Sequence, residues 1–343
     1  MRSFSRAFLL CAMLMIHDGP AFADQALDQN ALDTLYGRLA DDPNKDIKGV
    51  VVLRHDKLVS EAYFNGDNAD TLHDIRSATK SITSLLVGIA IKRGLIRSED
   101  DSIAKYLPGL PRDGKENIAI HDLLTMRSGL DADDTDSTSP GAEDNLDKSS
   151  DWIKTIYQVP MKRRPGEKYV YSSINAFLAG AIVQHAAGER LDIFARRTLF
   201  EPMGITRFAW RQIPIGQTAG QGNLQITARD FAKFGILVLH KGEYGGHQII
   251  DPDWIEKSTA SRVDIAAVDP YADQYGYMWY SKTQRLGERD IEVHFASGNG
   301  GNKIYVVPSL DMVIAITSSA YNQAYGQRRS QDILLALLAA AQP

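Results

Sequence analysis

Strand-like runs stand at both ends of this chain and helical periodicity fills its middle, so the simplest fold joins the two termini in one sheet. At the start, Gly49-Val-Val-Val-Leu53 and Leu58-Val-Ser-Glu-Ala-Tyr63 flank His55-Asp-Lys57, a hairpin pattern. Near the end, Tyr275–Tyr280, Ile291–Phe295, Lys303–Val307 and Met312–Thr317 read as strands, followed by an apolar helix over Asp332–Ala341. Between Ile118 and Gly242 the spacing predicts helices over His121–Met126 and Ala176–Ala187, and one capped by Thr227 that runs to His240. A short amphipathic helix over Ala26–Leu39 precedes the first strand. The predicted class is α+β: an antiparallel sheet built from both chain ends and flanked by helices, with an inserted helical lobe. Residues 24–117 and 243–343 would form the sheet lobe, and 118–242 the helical lobe, of a single domain. Clefts form where such lobes meet.

Ahead of this domain, Met1-Arg-Ser-Phe-Ser-Arg6, an apolar run of 10 residues over Ala7–Ile16, and Ala21-Phe-Ala23 follow the order of a secretory leader. Cleavage is expected after Ala23, which predicts export to the periplasm or medium and removes Cys11, the one cysteine. A spanning helix needs roughly 20 apolar residues, so no membrane anchor is expected once the leader is gone. Without cysteine, the remaining chain has no disulfide, thiol nucleophile or zinc-thiolate site. Lys and Arg total 38 against 43 for Asp and Glu, a formal charge of -5, and no basic excess is left to neutralise a nucleic acid.

The histidines show no i, i+4 pair, and no metal or organic cofactor is expected. Asp131-Ala-Asp-Asp-Thr-Asp136 lacks the turn glycine and the closing Glu of a calcium loop, so Asp131–Asp151 reads as a long solvated loop. Phosphate-binding and dinucleotide-binding glycine patterns are absent, as is a Gly-x-Ser-x-Gly elbow.

A different serine arrangement is present. Helical periodicity over Ser77–Arg93 puts Ile82, Leu85, Leu86, Ile89 and Ala90 on one face, and Gly94 is a natural stop. If Ser77 opens this helix, Lys80 lies one turn on, where its amine could accept the serine proton. A second Ser-x-x-Lys, Ser102-Ile-Ala-Lys105, opens no apolar helix and serves as an internal control. Tyr171-Ser-Ser173 precedes another apolar helix, and a tyrosine beside an ammonium is a plausible proton shuttle. Phe295-Ala-Ser297-Gly298-Asn299-Gly-Gly301 is a glycine-rich turn between two strands, whose backbone could approach a bound carbonyl.

Together these segments resemble the penicillin-recognising serine hydrolases, the β-lactamase/transpeptidase-like family of class C β-lactamases, D-alanyl-D-alanine peptidases and related esterases. In order and spacing, Ser77-x-x-Lys80, Tyr171-Ser-Ser173 and Ala296-Ser-Gly298 stand where the family has Ser-x-x-Lys, Tyr-x-Asn and Lys-Thr-Gly. Asp122-Leu-Leu-Thr-Met-Arg-Ser-Gly129-Leu and Pro165-Gly166 add to the likeness. Ser173 in place of Asn, and Ala296 in place of the Lys that commonly helps hold a substrate carboxylate, are similar to the 6-aminohexanoate-dimer hydrolase and esterase branch. The resemblance implies Ser77 as nucleophile, Lys80 as base, Tyr171 as proton relay and Ser173 as a hydrogen-bonding partner. It further implies Ser297, Gly298 and Asn299 as substrate-binding and oxyanion elements. The substrate it implies is a short amide or ester. A β-lactamase or D,D-carboxypeptidase, or a non-catalytic receptor on the same fold, is the alternative.

Overall fold

The computed structural model describes residues 27–341, so the leader and Cys11 lie outside the described residues. Eleven elements carry the architecture: α1 (Gln29–Ala40), β1 (Ile47–Arg54), β2 (Lys57–Tyr63), α2 (Thr79–Lys92), α3 (Ser173–Ala187), α4 (Ala228–Leu239), β3 (Tyr280–Leu286), β4 (Arg289–Gly298), β5 (Asn302–Val307), β6 (Met312–Ser318) and α5 (Ala324–Ala340). With the two-residue strands Val263–Asp264 and Gln274–Tyr275 at one edge, they form an antiparallel sheet of 8 strands, continuing β3-β4-β5-β6-β1-β2.

The chain ends meet in this sheet. Strand β1 pairs with β6, Val50 opposite Ile316 and Val52 opposite Ile314. Val50, Val51 and Val52 are all fully buried, because both faces are covered, which is why β1 reads as a continuous apolar run and not as an alternation. Helices α1 and α5 pack against each other on one face, and the Asp28 N–H donates to the Ala340 carbonyl at 2.9 Å. The other face carries α4, seated on β1, β5 and β6, although α4 lies inside the 118–242 segment that the periodicity assigns to the helical lobe.

Helix α2 lies between the sheet and α3. The expected apolar face is present, but Ser81, Thr83, Ser84 and Gly88 on the other faces are buried as well. Thr83 survives there because its hydroxyl donates to the Gly220 carbonyl at 2.6 Å. Helix α5 begins eight residues before the expected Asp332, and its first turns are held by polar contacts: Arg329 donates to Asp42 at 2.8 Å and also pairs with Asp46. Among the described residues no helix is long and apolar enough to cross a membrane.

Gly235 sets how closely α4 approaches the sheet. A Cβ at this position would stand 2.4 Å from Val313 Cγ1 and 2.8 Å from Ile304 Cγ2. Gly235→Ala gains about 1 kcal/mol of helix propensity yet must push α4 off the sheet. We expect a net loss of about 1 to 3 kcal/mol in urea denaturation; a stabilised variant would contradict this packing.

Candidate active site

Ser77 does not sit in the α-helix itself. Residues Arg76–Ala78 form a 3₁₀ turn, with the Ala78 N–H on the Ile75 carbonyl at 3.2 Å, and α2 starts only at Thr79. The turn is entered through Arg76 at φ +52°, a left-handed conformation that costs a non-glycine residue on the order of 1 kcal/mol or more. Its surroundings hold it there: the Arg76 N–H donates to Asp74 Oδ1 at 2.8 Å, and its guanidinium lies 4.0 Å from the centroid of the Tyr321 ring. The Tyr321 hydroxyl in turn donates to the Asp74 carbonyl at 2.9 Å. The result presents Ser77 at the positive end of α2.

Lys80, only 2% exposed, donates to Ser77 Oγ at 2.9 Å and to the Gln221 carbonyl at 2.9 Å. Its Nζ is 5.3 Å from the centre of the Tyr171 ring, so the first two motifs meet in space. Burial opposes the charge on Lys80, but the fields of Tyr171, Glu143 and Asp134 outweigh it and hold the pKa above the ordinary lysine value. The control pair behaves differently: Ser102 Oγ donates to the Glu116 carbonyl while Lys105 binds Asp101.

Asp134 and Glu143 come from the segment read as a solvated loop, and the structure corrects that reading. Residues 131–151 fold back on the site: Ala132, Gly141, Ala142 and Leu146 are buried, and Glu143–Leu146 form a helical turn. The Asp134 N–H donates to the Tyr171 carbonyl at 3.1 Å, and its Oδ2 accepts the Ser173 N–H at 2.7 Å, capping α3. Burial raises the pKa of Asp134, Lys80 opposes this, and Glu143 adds to the rise. Acidic composition concealed this role; the signal that could have found it is the set of small and apolar residues interleaved with the carboxylates.

Ser173 opens α3 fully buried, and its Oγ has no hydrogen-bond partner among the described residues. Ser297 is half-exposed near the end of β4, whose pairing with β3 stops at Tyr280–Phe295 and leaves the strand edge from Ala296 onward open. Gly298 is pressed against the Ser77 turn, since a Cβ there would overlap the Ile75 carbonyl and stand 3.2 Å from the Ala78 nitrogen. The side chain of Asn299 is engaged elsewhere, with its Nδ2 on Asn322 Oδ1 at 2.6 Å and its Oδ1 accepting the Asn322 N–H at 2.7 Å. A cleft of about 420 Å³ lined by Asp133, Thr135, Tyr169, Tyr171, Asp269 and Tyr280 adjoins these groups.

The Beta-lactamase family model matches residues 35–340. A 6-aminohexanoate-dimer hydrolase of Paenarthrobacter ureafaciens is 24% identical over 290 residues, 78% of this chain and 71% of that protein. A "Putative D-alanyl-D-alanine carboxypeptidase" of Escherichia coli K12 is 33% identical over 145 residues, 40% of this chain, and the match spans only 33% of that protein. Among solved structures, a penicillin-binding protein homologue from Caulobacter crescentus superimposes with a TM-score of 0.72 at 19% identity, covering 91% of this chain and 97% of that one. At that identity the likeness speaks for the fold.

Removing a negative neighbour lowers the pKa of an ammonium. Asp134→Asn keeps an oxygen for the Ser173 N–H but loses the charge, so the pH at which Ser77 reaches half its maximal rate of fluorophosphonate labelling is expected to fall by about one unit. An unchanged profile would mean that Asp134 does not set the charge on Lys80.

Proposed function

This chain belongs to the Beta-lactamase family, a family of serine hydrolases, and on that premise we propose that it hydrolyses short amides or esters through an acyl-Ser77 intermediate. The observation that carries this reading is the 2.9 Å bond between the buried Lys80 Nζ and Ser77 Oγ. Loss of one proton from the Lys80–Tyr171 pair, from whichever atom, yields the base. Ser77 Oγ then attacks the acyl carbon and its proton passes to the pair. The carbonyl oxygen gains the negative charge and is held by the backbone N–H groups of Ser77 and Asn299, each such donor being worth about 10² to 10³ in rate. Collapse breaks the bond to the amine or alcohol, which leaves with a proton delivered by way of Tyr171. Water repeats the sequence on the ester, using the same groups, and frees Ser77.

Ser173 Oγ, buried and without a partner, is suited to receive a polar group of the substrate or a water near the leaving group. The leader pattern over residues 1–23 supports action outside the cytoplasm. A second reading, D-alanyl-D-alanine carboxypeptidase, is favoured by the carboxypeptidase relative matched over 145 residues.

The test compares wild type with Ser77→Ala against a fluorophosphonate probe, p-nitrophenyl esters, 6-aminohexanoate dimer, a D-alanyl-D-alanine peptide and a chromogenic cephalosporin. We expect the probe to label wild type alone and Ser77→Ala to lose at least 10³-fold in turnover, with the ester or dimer preferred. Preference for the D-alanyl peptide would establish the second reading. A folded wild type that neither labels nor turns over any of them would point to a receptor on this fold.

A further inference from the structure

The two backbone donors assigned to the carbonyl oxygen come from parts of the chain far apart in sequence. The Ser77 N–H belongs to the 3₁₀ turn before α2, and the Asn299 N–H to the turn that follows β4. Neither donates to a backbone carbonyl among the described residues. Two donors can share one oxygen only if their separation is held to about 0.5 Å. Gly298 packs on the Ser77 turn, but packing sets only how closely the two turns approach and does not stop them from moving apart.

Residues 320–322, just after β6, reach both turns. The Tyr321 hydroxyl donates to the Asp74 carbonyl at 2.9 Å, and its ring lies 4.0 Å from the Arg76 guanidinium, so it grips the approach to Ser77. The next residue, Asn322, exchanges two hydrogen bonds with Asn299. Its Oδ1 accepts from Asn299 Nδ2 at 2.6 Å, and its N–H donates to Asn299 Oδ1 at 2.7 Å. Both asparagines are exposed, where water would satisfy them almost as well, so the fold alone has little need of this pair. Asn322 stands at φ +63°, a left-handed conformation that asparagine tolerates better than most residues. The segment is itself anchored, since the Ala320 N–H donates to Ser318 Oγ at 3.2 Å and the Ser318 N–H to Oδ1 of the buried Asn302 at 3.0 Å. Asn302 Nδ2 closes the circuit by donating to the Asn299 carbonyl at 2.9 Å.

We infer that Tyr321 and Asn322 are positioning residues that fix the separation of the Ser77 and Asn299 N–H groups, Tyr321 by holding the approach to Ser77 and Asn322 by holding Asn299. The inference rests on the acyl-transfer reading and adds to it the segment that sets the geometry of the oxyanion donors. Negative charge on the carbonyl oxygen develops only in the transition state, so loosening this brace slows turnover and leaves substrate binding almost as it was.

Two variants test it. Tyr321→Phe removes the bond to Asp74 and keeps the ring, while Asn322→Gly removes the acceptor for Asn299 and suits the left-handed backbone. Each is expected to lower kcat on p-nitrophenyl acetate about tenfold at nearly constant KM. Affinity for phenylboronic acid, whose tetrahedral adduct on Ser77 puts an oxygen between the two N–H groups, should fall by a similar factor. A merely structural loss would reduce the number of active sites and leave the boronate affinity of each unchanged. Hydrogen exchange reads the brace without any substrate. Asn322→Gly should speed exchange of the Gly301 N–H, bonded to the Gly298 carbonyl at 3.2 Å, and Tyr321→Phe that of the Ala78 N–H, bonded to the Ile75 carbonyl at 3.2 Å. Asn322→Asp keeps the acceptor and should exchange like wild type. Asn322 is exposed, so its variants keep the test decisive even if Tyr321→Phe fails to fold. Unchanged boronate affinity in the folded variants, with or without a loss of kcat, would overturn the inference. Faster exchange as expected, in a protein whose wild type neither cleaves the ester nor binds the boronate, would overturn the acyl-transfer reading and leave the positioning of the two N–H groups standing.

Discussion

The pairing of β1 with β6 is the contact on which the rest of the molecule depends. It joins residues 47–54 to residues 312–318, and every later feature of the site inherits its position from that join. Once β6 is fixed beside β1, β5 and β4 follow by hairpin connections, and the end of β4 arrives at the turn that bears Ser77. Helix α2 leaves that turn and runs between the sheet and α3, buried on all sides, so Lys80 is carried on a rigid element with little freedom to move relative to Ser77.

Around this frame the molecule holds two buried lysines in opposite ways. Lys80 is surrounded by Tyr171, Asp134 and Glu143, which keep its charge in spite of burial, whereas Lys303 has the field of Asp269 alone and its pKa falls to about 8. The acidic segment 131–151 is therefore part of the electrostatics around Lys80 as well as a wall of the cleft. Its carboxylate Asp134 does double duty, since the same oxygen set caps α3 at Ser173 and so ties the Tyr171-Ser-Ser173 segment to the loop.

Much of this was legible in the sequence, and the physical reasons differ from part to part. Strands β1 and β6 announced themselves because they are buried on both faces, which leaves uninterrupted apolar runs. The Ser77–Lys80 pair was legible because its spacing is local, and the bond between the two side chains spans three residues. The left-handed Arg76 was not, because the group that holds it, Tyr321, is supplied from beyond β6. The early start of α5 was hidden for a similar reason: its first turns are polar and are stabilised by Asp42 and Asp46 from the other end of the chain. Lys303 looked like an ordinary charged residue at the head of an apolar strand, and only the register opposite Ser297 gives it a partner.

The closure of the sheet by its last strands also has a consequence for synthesis. A ribosome that has delivered the first 260 residues has already made Ser77, Lys80, Asp134 and Tyr171. It has not yet made Gly298, which packs on the serine turn, or Tyr321, which holds Arg76 in its left-handed form. Nor has it made β6, without which β1 has no partner on its inner side. The growing chain thus carries these side chains for most of translation without the contacts that hold them in place, and the candidate site is complete only when the final tenth of the polypeptide is threaded into place.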